Sequence, residues 1–382
     1  MTDRGFTLVE LLIATLLTLT ILAIALAIVD PARSSFERDA AGAEVAQRLR
    51  TGLQALGDDL RGAGAGAAIA EQGRLADSLP VVEPMIHLDP TAPADGRFRA
   101  VRIITVPAEA AQARLREALV SGDDPLRLKG PPACPGSRPA CGFEVGHDAI
   151  LFDRTAIHDV VEVATVTVDA GGGSITTTSP LSGRYAVGAA IAQIEETMYG
   201  LAPDGEGGQR LVKVSGAGAT MPLLDHVVDF TVDVYGDARP PLPSVQPLAS
   251  PSYGPRPPVP GQDDERDEWG AGENCTIAVS EGGARAGRLP TLGGVGTLVK
   301  LTPDMLVDGP WCPGSPAGPN FDADLFRIRR VDLRLRVEVA SAALRGPAGR
   351  LFRRPGAGSR SASWVPDGEL RLTVVPRNLR QP

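Results

Sequence analysis

Hydrophobic positions change spacing twice along the chain. From Leu11 to Val29 there is no charge, and only Thr15, Thr18 and Thr20 interrupt the apolar run. About 19 such residues match the length that crosses a hydrocarbon layer as a helix. Beyond Pro31 the continuous run gives way to a stripe: Val45, Leu49, Leu53, Leu56 and Leu60 recur at helical steps, while Glu44, Arg48, Arg50, Asp58, Asp59 and Arg61 fill the other faces. The pattern predicts one long helix, kinked at Pro31, that is membrane-spanning in its first half and amphipathic in its second. Glycines crowd in after the last apolar position, in "DDLRGAGAGAA" from Asp58, and predict its end there. Gly62, Gly64 and Ala67 imitate a dinucleotide-binding G-x-G-x-x-A, but such a loop opens a helix after a strand, and this one closes a helix.

From Arg97 onward the period shortens to two. β-Branched or alternating runs start at Arg97, Ala149, Val160, Ala189, Leu211, His226, Arg327 and Glu369, and each reads as a strand. In the Arg327 run, Val331, Leu333, Leu335, Val337 and Val339 face one way and Asp332, Arg334, Arg336 and Glu338 the other. Few spacers between the runs are long enough for helical crossovers, so the sheet is expected to be antiparallel. The fold class is α+β: a long N-terminal helix whose stripe lies on an antiparallel sheet. Between about 237 and 321 the chain is dense in proline and glycine, which predicts long surface loops or spacers.

Composition adds bounds. In 382 residues, 43% hydrophobic content is enough for a real core, and a net charge of −8 weighs against nucleic acid as a partner. The arginines Arg327, Arg329, Arg330, Arg353 and Arg354 are read as an exposed sheet face and not as phosphate contacts. The acidic group Asp263, Asp264, Glu265, Asp267 and Glu268 lacks the alternate spacing and glycine of a calcium loop, so a solvated turn is preferred. No cofactor or metal is expected. His87, His147, His158 and His226 are scattered without metalloprotease spacing, and neither G-x-S-x-G nor a phosphate loop occurs, so the chain is not read as an enzyme.

Four cysteines, Cys134, Cys141, Cys275 and Cys312, follow a membrane-entering segment and favour disulfides over zinc, since neither gap has C-x-x-C spacing. Of three connectivities, the nearest-neighbour pairing Cys134–Cys141 and Cys275–Cys312 is expected, because short closures cost the least chain entropy.

One residue does not fit a plain anchor. Glu10 puts a carboxylate at the start of the apolar run, where an unpaired charge is costly. A secretory signal cut after Ala27 would use the small residues of "ALAIALA", but it explains neither Glu10 nor the glycine before Phe6. The stretch Gly5, Phe6, Thr7, Leu8, Val9, Glu10 resembles the class III leader of type IV prepilins and type II secretion pseudopilins. Looser similarity to PilW-like and GspJ-like minor pilins appears in "LGDDLRGAGAG", in Leu223 to Asp237 and in Val374 to Leu379; the middle of the chain carries none.

The resemblance implies cleavage by a prepilin peptidase between Gly5 and Phe6, methylation of Phe6, and pairing of Glu10 with the amine of a neighbouring subunit. It implies a leader over 1–5, a transmembrane half over 6–29, an amphipathic half over 30–62 and a head over 63–382. Expected partners are other pilins or pseudopilins, the peptidase, the inner-membrane assembly platform and membrane lipid. Arg4 keeps the N-terminus cytoplasmic and sends the rest across, so a single-pass inner-membrane protein with a periplasmic head is expected, extracellular once at a fibre tip. The implied function is a low-copy subunit that initiates, caps or decorates a pilus or pseudopilus. The alternative is a membrane-anchored adhesin or DNA-receiving module on the same scaffold.

Overall fold

A computed structural model of the chain describes residues 7–64, 75, 79–88, 96–107, 109–130, 139–152, 158–169, 171–181, 184–205, 207–216, 218–240, 277–294, 297–309, 311–312, 321–359 and 361–379. Its first element, α1 (Leu8–Gly62), is a single helix that runs on through Pro31. Every described side chain from Leu8 to Ala40 is exposed, so at 1.5 Å per residue the helix stands clear of the head for ~50 Å. Contact begins at Ala41, which packs half-buried against the core. The predicted stripe of Val45, Leu49, Leu53, Leu56 and Leu60 is then buried to the last residue, each side chain contributing roughly 1.5–3 kcal/mol by burial.

Strands make up the rest. β1 (Val82–Met85) and β2 (Ala100–Thr105) begin a large sheet. The chain then leaves it for β3 (Gln112–Arg114), β4 (Leu126–Lys129), β5 (Asp148–Phe152), β6 (His158–Thr167), β7 (Gly172–Thr177) and β8 (Ala190–Gln193). It returns as β9 (Glu195–Pro203), β10 (Gln209–Ser215) and β11 (Thr220–Asp237). Short strands follow: β12 (Ile277–Val279), β13 (Arg285–Gly287), β14 (Leu298–Leu301), β15 (Trp311–Cys312) and β16 (Phe321–Asp322). The last two are β17 (Ile328–Val337) and β18 (Gly368–Val374).

The large sheet has the order β1-β2-β9-β10-β11-β17-β18, with β14 also paired to β11, and every pairing is antiparallel. Its register sorts the side chains by face. Phe230 with Leu335, Val232 with Leu333 and Val234 with Val331 join the core beneath α1. Their neighbours alternate to the outer face, where Arg99 meets Asp229 at 2.9 Å, Lys300 meets Asp233 at 2.7 Å, and Arg102 lies between Glu83 and Glu196. Such interspersed charge keeps an open sheet face soluble.

The excursion between β2 and β9 closes on itself. Its order is β3-β8-β5-β6-β7-β4, and β4 comes back to β3 through a bridge between Leu115 and Leu128 and a bond from the Arg116 N–H to the Arg127 carbonyl at 2.7 Å. The result is a six-stranded antiparallel barrel, which removes both edges. Leu115, Leu128, Leu151, Val163, Ile175 and Ile191 fill its interior. On β5 and β8 the alternate residues Ile150, Phe152, Ala190 and Ala192 face outward and merge with the core of the large sheet. Closure needs glycine at β7: Gly172 and Gly173 have φ of 130°, and a Cβ on Gly172 would overlap the backbone of Gly130.

The α+β class and seven of the eight strand readings agree with the structure; the run from Ala189, read as one strand, is divided between β8 in the barrel and β9 in the large sheet. Two further features differ. The head is a sheet plus an inserted barrel, and the stretch about 237 to 321 contains the β12–β13 hairpin and β14 as well as loop.

Candidate functional site

Candidate chemistry starts at the first turn of α1. Leu8–Ala27 is long and apolar enough to cross a membrane, and none of it is buried against the head. Thr7 is the N-cap: its Oγ1 accepts from the Glu10 N–H at 3.3 Å, while the Thr7 N–H and Oγ1–H both donate to Glu10 Oε2 at 2.9 Å. This is a capping box, which satisfies two orphan donors reciprocally. Glu10 thus has a partner within its own chain. The T-x-x-E spacing announces that role, whereas the prepilin resemblance implies a neighbour's amine as the partner of Glu10. Gly5 and Phe6, the expected processing site, lie outside the described residues.

At its other end α1 is fastened to the sheet by polar bonds. Asp59 accepts from the hydroxyl of Tyr199 on β9 and from Lys213 Nζ on β10, the latter at 2.9 Å. The ammonium also lies 5.6 Å from the centre of the Tyr199 ring. Burial first, and then the Asp59 bond, push the Tyr199 phenol well above its ordinary range, so it stays a donor. Asn378, near the chain's end, donates to the Ala63 carbonyl at 2.9 Å and covers the helix C-terminus.

A second polar group lies in the head, with Asp322 and Asp324 buried and Asp308 exposed beside them. Carboxylate oxygens of Asp308, Asp322 and Asp324 lie within 4.8 Å of one another. Asp322 accepts from the Gly309 and Asp324 N–H groups, both at 2.6 Å. Arg327, which is fully buried, pairs with Asp324 and reaches the carbonyls of Ala238 and Pro290. Burial pushes Asp322 up to about 6 and raises Asp324, with the Arg327 contact opposing the second shift. A cation here would compete with a guanidinium already held by Asp324 and by the carbonyls of Asp237, Ala238 and Pro290, so the arrangement serves to lock the turn at Ala323–Arg327 into the base of β17. Arg327 therefore corrects the expectation of an exposed arginine face; Asp324, three residues earlier, supplies the charge that lets it turn inward.

Cys141 and Cys312 are both disulfide-bonded, and each is buried, Cys141 against the barrel core and Cys312 against the core of the sheet. Cys134 and Cys275 lie outside the described residues, as do Asp263, Asp264, Glu265, Asp267 and Glu268. His147 sits beside Glu144, His158 is buried in β6, and His226 marks a bend in β11 at a φ of 59°. Comparison with protein families, with curated proteins and with solved structures finds no match to this chain.

Proposed function

We propose that the chain is a minor pilin or pseudopilin, a structural subunit that starts, caps or decorates a type IV pilus or type II secretion pseudopilus. One observation carries the reading: a single unbroken helix is apolar and bare from Leu8 to Ala27, exposed at every described side chain as far as Ala40, and becomes the spine of the head's core from Val45. A simple anchor needs only the first part. A helix that projects ~50 Å without self-contact, rigidly joined to a sheet, is suited to packing beside identical or related helices. The head would sit in the periplasm and move outside with a growing fibre. The inserted barrel enlarges the head beyond what a close helical array accommodates, which favours a low-copy position at the tip.

The same barrel supports a second reading, in which the anchor carries an adhesive or DNA-receiving head. Deletion separates the two: loss of fibres supports the subunit role, and intact fibres that fail to attach or to capture DNA support the second. Processing tests the family reading directly. Mass spectrometry of the membrane fraction is expected to find Phe6 at the N-terminus, methylated. A terminus at Ile28 would overturn the proposal, because the helix would have been removed as a signal peptide.

A further inference from the structure

The two edges of the large sheet are unlike. β1 is four residues long and contains Pro84, which has no amide hydrogen to offer. β18 is seven residues long and free of proline, and its register with β17 is unbroken from Val331–Val374 to Val337–Gly368. Its other side has no strand neighbour among the described residues. An edge of this length is a template for another strand unless it is blunted. Glu369 and Arg371 do not blunt it: they bond to each other at 2.9 Å on the face away from α1, leaving Leu370 and Leu372 on the helix side.

Alongside this edge runs a groove of about 260 Å³ between helix and strand. Val45, Ala46 and Leu49 form one wall, and Val365, Pro366 and Leu370 the other. Gly368 holds the walls together, since a Cβ there would come within 2.6 Å of Val45 and 2.7 Å of Leu49. Leu370 remains 37% exposed at the opening. Arg50 stands at the rim, exposed, with no carboxylate partner among the described residues, while the nearby Glu369 is taken by Arg371.

We propose that the β18 edge and this groove receive an extended segment of another protein, which adds to the sheet as a strand, places an apolar side chain between α1 and β18, and presents a carboxylate to Arg50. Main-chain bonds supply affinity in such strand addition, and the pocket supplies specificity. An amphipathic helix in the groove would leave the edge's backbone groups unpaired. A second copy pairing through its own β18 is excluded by direction: the two-fold axis of antiparallel pairing stands normal to the sheet, so it would turn α1 around and point the two Leu8–Ala27 runs opposite ways. The inference is independent of the fibre reading, since it asks only for a partner segment that is extended and carries that apolar side chain and that carboxylate.

The test uses the full chain in detergent and a labelled, acetylated peptide, Thr-Val-Thr-Leu-Thr-Val-Glu. Anisotropy is expected to show saturable binding that falls by at least about tenfold, a difference of roughly 1.4 kcal/mol, when three consecutive amides are N-methylated. Hydrogen exchange is expected to slow at 368–374 and to stay unchanged at 82–85. Arg50→Glu is expected to reverse the preference between this peptide and its lysine-ended counterpart. Absence of binding, indifference to N-methylation, or protection away from β18 overturns the proposal, and indifference to Arg50→Glu overturns the carboxylate assignment.

Discussion

Asp59 of α1 and Lys213 of β10 meet at 2.9 Å, joining positions far apart in sequence at the seam between helix and sheet. Both are about one-third exposed, so the ion pair itself contributes little. The hydroxyl of Tyr199, donating to the same carboxylate, is the more protected partner. Asp59→Ala strands that hydroxyl and is expected to cost about 1–3 kcal/mol. Tyr199→Phe removes donor and demand together and is expected to cost less. Denaturant titration of the single and double variants checks this; the two losses should fall short of additive, because the residues share one bond.

Asp322 makes a statement about pH. Its carboxyl ionises near 6 in the folded protein against an ordinary value of 3.8, so between those values the folded state holds more proton than the unfolded one. Stability from this group is therefore fully present below about 3.8 and is lost as pH rises through about 6. The size is up to roughly 2–3 kcal/mol at 1.36 kcal/mol per unit. Thermal melts at intervals from pH 7 to 5 are expected to show the parent gaining stability on acidification, and Asp322→Asn gaining less. Equal slopes would remove the group from the pH response.

Disulfide mapping tests the cysteine framework. Non-reducing digestion is expected to release Cys134 linked to Cys141 and Cys275 linked to Cys312. Either of the other two connectivities would instead link Cys134 and Cys141 to Cys275 and Cys312 and show that fold proximity outweighs loop length.

What the sequence disclosed follows from how local each signal is. The helix stripe was legible because five aliphatic side chains repeat within one element, and β17 because Val331, Leu333, Leu335 and Val337 alternate along it. β7 was not, since "GGSITT" spends two of its six positions on glycines, Gly172 where Gly130 approaches and Gly173 where the Thr167 carbonyl does. The barrel was invisible for another reason: β2 and β9 pair directly, and nothing along the intervening chain states that its two ends are neighbours. At the site the same divide holds. Thr7-x-x-Glu10 is a local signal and readable, whereas the inward turn of Arg327 depends on carbonyls at Ala238 and Pro290, far away in sequence.

The capping box sharpens the question of what Glu10 does. As a cap, the carboxylate only completes the first turn, and Thr7 matters as much as Glu10, because each holds the other. As the partner of a neighbour's amine, the carboxylate matters and Thr7 is secondary. Thr7→Ala is expected to cost the helix about 1 kcal/mol and to leave assembly near the parent level. Glu10→Ala is expected to insert normally, since removing a charge makes the helix more apolar. It should fail in assembly, because an amine left alone in a dry bundle costs about 3–5 kcal/mol. Glu10→Gln keeps the shape and can still accept from Thr7, so it should fall between. Crosslinking to co-expressed pilins, with N-terminal processing followed in parallel, reads all three variants. If Thr7→Ala and Glu10→Ala impair assembly equally, Glu10 is a cap and not a register pin, and the alignment of neighbouring helices must come from their apolar faces.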